Sequence, residues 1–351
     1  MKNEIQDINA NQIKNYSAFV GFDGYIDEIV RPMGTVGRFE SIRQFNDFII
    51  GNGSVSADIS VKRIFRHMGG NAPLLAYSLA KKGLEVHCVG AFGTNKVLPI
   101  FEPLEKSCDV LTIAEPAKCY ALEFPDGKIM FGERSTLDRI TPVLIRKKAG
   151  DRLHSLLNKS KLICFVNWSG LLHSNDILSE ILLQTCHITR DREQILFLDL
   201  ADLSVIETER VAVFIALLPK LRQRYYTVLS LNRKEAATVT ERLGEKVGSL
   251  QQMASMLFKR LETDEITIHS SLGSIAITEK KETGCIIPKR IEDPVVVTGA
   301  GDNYNAGYCT AKLLDMNPDG CVSMGNASAY DFICNGEPSG WEQIIKEYRG
   351  G

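Results

Sequence analysis

From Asp151 onward, stretches with helical spacing alternate with short apolar runs at Lys161 to Asn167, Ile195 to Leu200, Thr227 to Leu231 and Glu265 to His269. Short apolar runs between helices read as strands buried on both faces, and such strands form a mostly parallel sheet covered by helices on each side. Ligands collect at the carboxyl ends of the strands in sheets of this kind. Attention therefore falls on Asp199, on Asn232-Arg233-Lys234-Glu235 and on His269-Ser270-Ser271-Leu272-Gly273.

A second stretch carries the chemistry. Val295-Val296-Val297-Thr298-Gly299-Ala300-Gly301-Asp302 is a β-branched run that stops at a glycine turn, and helical spacing resumes from Asn303. The expectation is a strand end feeding a helix start. Gly299 and Gly301 free the backbone to turn and let a ligand approach the N–H groups that a new helix leaves unpaired, which makes an anion site. A carboxylate at Asp302 repels an anion unless its task is to take a proton from the group attacking that anion. Phosphoryl transfer needs this pair of devices, donors for phosphoryl oxygens and a base for the incoming hydroxyl. A tight turn with an acidic helix cap is the plain alternative. Tyr304, Gly307, Tyr308, Ala311 and Leu314 form one apolar stripe, so the helix should be buried.

Earlier in the chain, Ser17 to Val30 reads as an apolar strand ending in carboxylates, with Asp23 and Asp27 either binding polyol hydroxyls or forming a surface turn. A short helix over Ser41 to Ile50 and a turn at Gly51-Asn52-Gly53 belong to an excursion that serves as a lid, a binding loop or a plain insertion. Gly69-Gly70-Asn71 opens a helix that stops at Gly83, and lets main chain and amide approach a small polar ligand. Tyr120 to Phe124 and Lys128 to Phe131 flank Pro125-Asp126-Gly127, a hairpin signal. Glu123 and Arg134 read as solvated charges within reach of a substrate. Asn232 and Glu235, three apart at a strand-to-helix junction, form a capping box or face a common ligand.

Composition excludes several classes. Basic and acidic residues nearly cancel, 41 against 43, so neither nucleic acid nor an anionic membrane is an expected partner. The nine cysteines are scattered singly and none sits at zinc spacing with a histidine, which suggests reduced cytoplasm. Met1 to Tyr16 is polar, and no run approaches the ~18 apolar residues of a membrane span.

The ordered set of Gly69-Gly70-Asn71, Asn232-x-x-Glu235 and Thr298-Gly299-Ala300-Gly301-Asp302 resembles the signatures of the ribokinase-like (PfkB) carbohydrate kinases, over nearly the whole chain. The resemblance implies an α/β fold, a three-layer α/β/α mostly parallel sheet with a small β lid, in one kinase domain over 17–340 with lid segments near 28–66 and 111–135. It implies an ATP-dependent sugar kinase with Asp302 as catalytic base and the Gly299, Ala300 and Gly301 amides as anion hole. Asp27, or Asp23, with Gly69, Gly70 and Asn71 would bind the sugar. Asn232 and Glu235 would order phosphates and Mg2+ through water, with no direct protein ligand to the metal. Thr298, His269, Ser270, Gly273 and Asn326 would meet the nucleotide. In several members two lids pair into a homodimer. The chain departs from the pattern at Leu74, Asn95, Ser270, Val296 and Val297. The valines replace residues that in some members help hold a monovalent cation, which puts potassium activation in question. A nucleoside kinase of the same fold and a catalytically silent sugar-binding regulator are the alternatives, and the acceptor is left open.

Overall fold

The computed structural model describes residues 10–349, apart from 35–36, 54–57, 186–192, 247, 281–282, 288, 290 and 293. Fourteen strands are formed among these residues: β1 Ser17–Phe22, β2 Tyr25–Gly34, β3 Gly37–Arg38, β4 Ser60–Gly69, β5 Glu85–Gly90, β6 Asp109–Thr112, β7 Ala117–Phe124, β8 Gly127–Glu133, β9 Leu162–Phe165, β10 Ile195–Asp199, β11 Tyr226–Asn232, β12 Glu265–His269, β13 Ser274–Thr278 and β14 Thr283–Ile286.

Nine of them make one sheet in the order β14-β13-β12-β11-β10-β9-β1-β5-β6. The pairings from β6 through to β12 are parallel, and β13 and β14 add antiparallel at one edge. Strict alternation along the central strands serves two cores. Phe19, Ile163, Phe165, Leu196 and Leu198 point to one face, against the helices Asp151–Lys159, Thr208–Arg222 and Leu250–Arg260. Ala18, Val20, Leu162, Cys164, Ile195 and Phe197 point to the other, against Asn71–Lys81, Ala300–Leu313, Pro318–Asn335 and Trp341–Arg349. The expected three layers are present because each strand has apolar residues at both parities.

The chain leaves this sheet at Asp23 and builds a second one, β3-β2-β7-β8 with β4 paired to β2. Asp27 therefore lies within β2 and not at a strand end as the sequence suggested. The helix Ile42–Gly51, capped by Ser41, places Phe45 edge-on to Phe39 and against Phe124, a separate apolar cluster under the β7–β8 hairpin. Its first N–H also bonds the Asp126 carboxylate at the hairpin tip, 2.9 Å away.

One expected strand does not form. Val295 to Val297 is irregular, with the Val295 and Val296 N–H groups both donating to the Ile333 carbonyl and the Val295 and Val297 side chains exposed. β-branched residues favour a strand only where a pleated neighbour packs on them, and here the neighbour is the end of a helix. The helix after it does form and is buried on nearly every side, more than a single stripe requires. Gly307 allows this: a Cβ there would lie 2.4 Å from the Met324 carbonyl oxygen of Pro318–Asn335. Gly307→Val is expected to cost roughly 1 to 3 kcal/mol or more in urea unfolding, and an unchanged midpoint would show that the two helices are not packed this closely.

Candidate active site

The site is assembled where helix N-termini meet the carboxyl edge of the large sheet. The Ala300–Leu313 helix starts from Gly299, held at φ 93 and ψ −4, the left-handed region that favours glycine. A side chain there would also press on Phe332 and Leu74, at 3.2 and 3.4 Å. The Ala300 N–H donates to the Val297 carbonyl at 3.2 Å. The Gly301 and Asp302 N–H groups lie in the first helical turn, where no intrahelical acceptor exists and the helix dipole is positive. Asp302 is buried, and its Oδ1 has no hydrogen-bond partner among the described residues. Burial, then the charges of Asp199 and Asp23, hold its carboxyl well above the usual range, with Asn71 hydrogen bonding in the opposite sense.

Asp23 sits where the chain passes from one sheet to the other. Its oxygens accept the N–H groups of Asn71 (3.0 Å) and Ala72 (2.7 Å) and the Asn167 side-chain amide (2.6 Å), so it caps the Asn71–Lys81 helix and fixes Asn71 beside Asp302. Burial raises it to about 6 despite those donors. Gly70, at φ 98, makes the turn into that helix. Asp27 pairs with His67 in the β2–β4 ladder, and its carboxyl group lies over Gly69, where a Cβ would come within 2.3 Å of it, so only glycine leaves room. Burial raises Asp27, against the pull of His67 and Lys128.

At the end of β11, Asn232 and Glu235 form the capping box: the Asn232 N–H donates to Glu235 Oε2 and the Glu235 N–H donates to Asn232 Oδ1, both at 2.9 Å. Burial first, and then the Asp199 charge, pushes Glu235 up to about 8. Asp199, raised by burial to about 6, accepts from Asn305 Nδ2 at 2.8 Å and from the Ala201 N–H at 2.9 Å. Ser230 donates to the Asn305 oxygen and so fixes which way that amide points. Among the described residues no three His, Cys, Asp or Glu side chains are grouped to hold a metal. Buried carboxyls that resist ionisation nevertheless suit a hydrated dication, since Mg2+ keeps much of its water and needs few protein oxygens.

Beside the glycine turn lies a cavity of about 720 Å³ bounded by His269, Ser270, Ala300, Gly301 and Asn326, whereas Thr298 and Gly273 are not among its lining residues. The His269 ring stacks on Tyr304 at 4.5 Å, and burial lowers it to about 4, so it is a neutral plate at neutral pH. Ser270 is turned to the β12–β13 connection, donating to the Gly273 carbonyl and accepting from the Leu272 N–H. Asn326 accepts from Ser274 and leaves a buried Nδ2 without a partner among the described residues, a donor for a ligand.

Sequence reading missed Lys128. From the first residues of β8 its ammonium reaches over to donate to Thr298 Oγ1, beside the anion turn and within the influence of Asp27. Its only signal was a charge just after Pro125-Asp126-Gly127, which looks like any exposed hairpin lysine. Of the two charges read as within reach, Glu123 pairs with Arg31 at 2.8 Å.

The buried carboxyl at a glycine-led helix start and the cavity beside it belong to a PfkB-like sugar kinase, a phosphotransferase acting with ATP. The chain belongs to the prokaryotic ketohexokinase family, which it matches over residues 4–348. It is 26% identical over 336 residues to a ketohexokinase of Haloferax volcanii, covering 92% of this chain and 88% of that one. Its fold is similar to that of Arabidopsis thaliana ribokinase complexed with ribose and ATP (TM-score 0.68, 14% identity, 95% of this chain and 98% of that one). The adenosine kinase of Sinorhizobium meliloti is alike to the same degree (TM-score 0.67, 18% identity, 96% and 99%).

The raised carboxyls have a consequence for stability. Glu235 shifts from 4.5 to about 8 on folding. Between those values the folded protein keeps a proton that the unfolded chain has lost, so stability falls as pH rises through the window. The melting temperature of the ligand-free protein should decline from about pH 5 to pH 8, and Glu235→Gln should flatten the decline. A parent curve level across this window would show that Glu235 is not held protonated.

Proposed function

We propose that the protein transfers the γ-phosphoryl group of ATP to a hydroxyl of a free ketohexose, with Asp302 as general base. The observation that carries this reading is the unpartnered Asp302 Oδ1, buried beside Asn71 in the first turn of the glycine-led helix. The ketohexose acceptor is supported by the family and by the Haloferax relative.

In this reading Asp27 and Asn71, with the backbone at Gly69 and Gly70, grip the acceptor hydroxyls, and Asp23 stands behind Asn71 as its anchor. The purine lies in the cavity beside His269 and under the Asn326 amide, and the phosphates run toward Gly299, Ala300 and Gly301. Thr298, Ser270 and Gly273 act through the backbone around that path. As the acceptor oxygen bonds to the γ-phosphorus its proton passes to Asp302, and the bond to the β-phosphate oxygen breaks to release ADP. First-turn N–H groups and the Lys128 ammonium take up the charge on the phosphoryl oxygens. Asn232, Glu235 and Asp199 are the residues that would hold Mg2+, which would supply positive charge against the phosphates. Asp302 holds its proton in the empty cleft, and positive charge arriving with the nucleotide returns it toward the neutral range where a base works best.

The small sheet, from the segments near 28–66 and 111–135, serves as the lid of a single kinase domain over 17–340. Exposed Phe65, Met130 and Phe131 on it favour a lid-to-lid homodimer. Among the described residues no helix is long and apolar enough to cross a membrane, and the free cysteines support a cytoplasmic setting.

A coupled ADP-release assay across ketohexoses, aldoses and nucleosides tests the reading. Ketohexoses should turn over fastest, and Asp302→Asn should lower kcat by about 10²- to 10⁴-fold while both substrates still bind. Faster turnover of a nucleoside would move the acceptor to another class. Turnover of Asp302→Asn within a few-fold of the parent would remove Asp302 from the chemistry.

A further inference from the structure

Lys82 follows the last turn of the Asn71–Lys81 helix and is 3% exposed. Desolvation of an ammonium is costly, and a buried charge is weak evidence for stability. Burial brings Lys82 down to about 7, and the charge of Asp331 on the Pro318–Asn335 helix opposes that shift. Asp331 itself is engaged by Asn335 and by Ser339.

Lys82 leads to the anion turn. Its ammonium donates to Ser78 Oγ at 3.0 Å, Ser78 donates to Asn303 Oδ1 at 2.7 Å, and Asn303 Nδ2 donates to the Gly299 carbonyl at 3.0 Å. Every donor in this chain faces the same way, so each bond polarises the next. The Asn303 N–H meets the same carbonyl at 3.0 Å. Gly299 is the residue that must hold a left-handed conformation for the helix to begin where it does.

We propose that Lys82 is a positioning residue for phosphoryl transfer, a buried donor that holds the Gly299 turn through Ser78 and Asn303 in the form that receives the phosphoryl group. The inference rests on the kinase reading above. A neutral side chain of similar volume would fill the same space at less electrostatic cost, so what the ammonium supplies is the orientation of the relay and not the packing of the helix.

Lys82→Met, Ser78→Ala and the double variant separate the two roles, with turnover of the parent measured first. Lys82→Met is expected to lower kcat about ten- to a hundred-fold, with KM for ATP and sugar little changed and a melting temperature equal to or above the parent's. Ser78→Ala should show a similar loss, and the double variant no further loss, because both break one chain. In Lys82→Ala, propylammonium should restore part of kcat and propanol should not. A parent with no turnover overturns the kinase reading and this inference with it. With an active parent, the inference alone is overturned by kcat of Lys82→Met near the parent's, by additive losses in the double variant, or by a fall in melting temperature with kcat and KM worsening together.

Discussion

Burial of neighbouring carboxyl groups organises this protein. Asp23, Asp199, Glu235 and Asp302 meet at the carboxyl edge of the large sheet, and the charges of Asp199 and Asp23 raise their neighbours further. What makes the arrangement tolerable is the company of helix ends. Asp23 caps the Asn71–Lys81 helix, Glu235 lies in the first turn of Arg233–Arg242, and Asp302 in the first turn of Ala300–Leu313. These three carboxyls thus face the positive end of a helix, Asp199 is met instead by Asn305 and the Ala201 N–H, and the remainder of the cost is met by keeping protons on. The result is a cleft short of positive charge until a cation enters.

Burial of a charge does not by itself mark a site. Glu265, at the opposite end of the sheet, is fully buried, but the hydroxyls of Tyr226 and Tyr308 and the Lys312 ammonium satisfy it completely. The contrast lies in what is unpaired. Asp302 Oδ1 and Asn326 Nδ2 lack partners among the described residues, and both lie by the same glycine turn. The stabilising bonds that Glu265 makes are not made by Asp302 Oδ1 and Asn326 Nδ2.

Much of this was legible from residue order. The alternation after Asp151 yields the parallel sheet, and Gly299-Ala300-Gly301-Asp302 yields the helix start, because glycine freedom and helical polarity act locally. Asn232 and Glu235 form the expected capping box. The failures are tertiary. Val295 to Val297 has strand composition but finds a helix end for a neighbour. Asp23 looks like a ligand-binding acid until the fold brings Asn71, Ala72 and Asn167 onto it. Lys82 and Lys128 look like two ordinary lysines, one after a helix and one after a turn. Their significance comes from contacts that span 225 residues between Ser78 and Asn303 and 170 between Lys128 and Thr298.

If the cleft keeps protons only for want of a cation, loading it must release them. Calorimetry of magnesium with a non-hydrolysable ATP analogue, at neutral pH in two buffers of different ionisation heat, counts the protons exchanged on binding. Net release from the parent, reduced in Glu235→Gln, is the outcome expected from carboxyls held protonated by burial. Heats identical in the two buffers, with binding intact, would mean that the cleft is already ionised before the nucleotide binds and that burial does not hold the protons on.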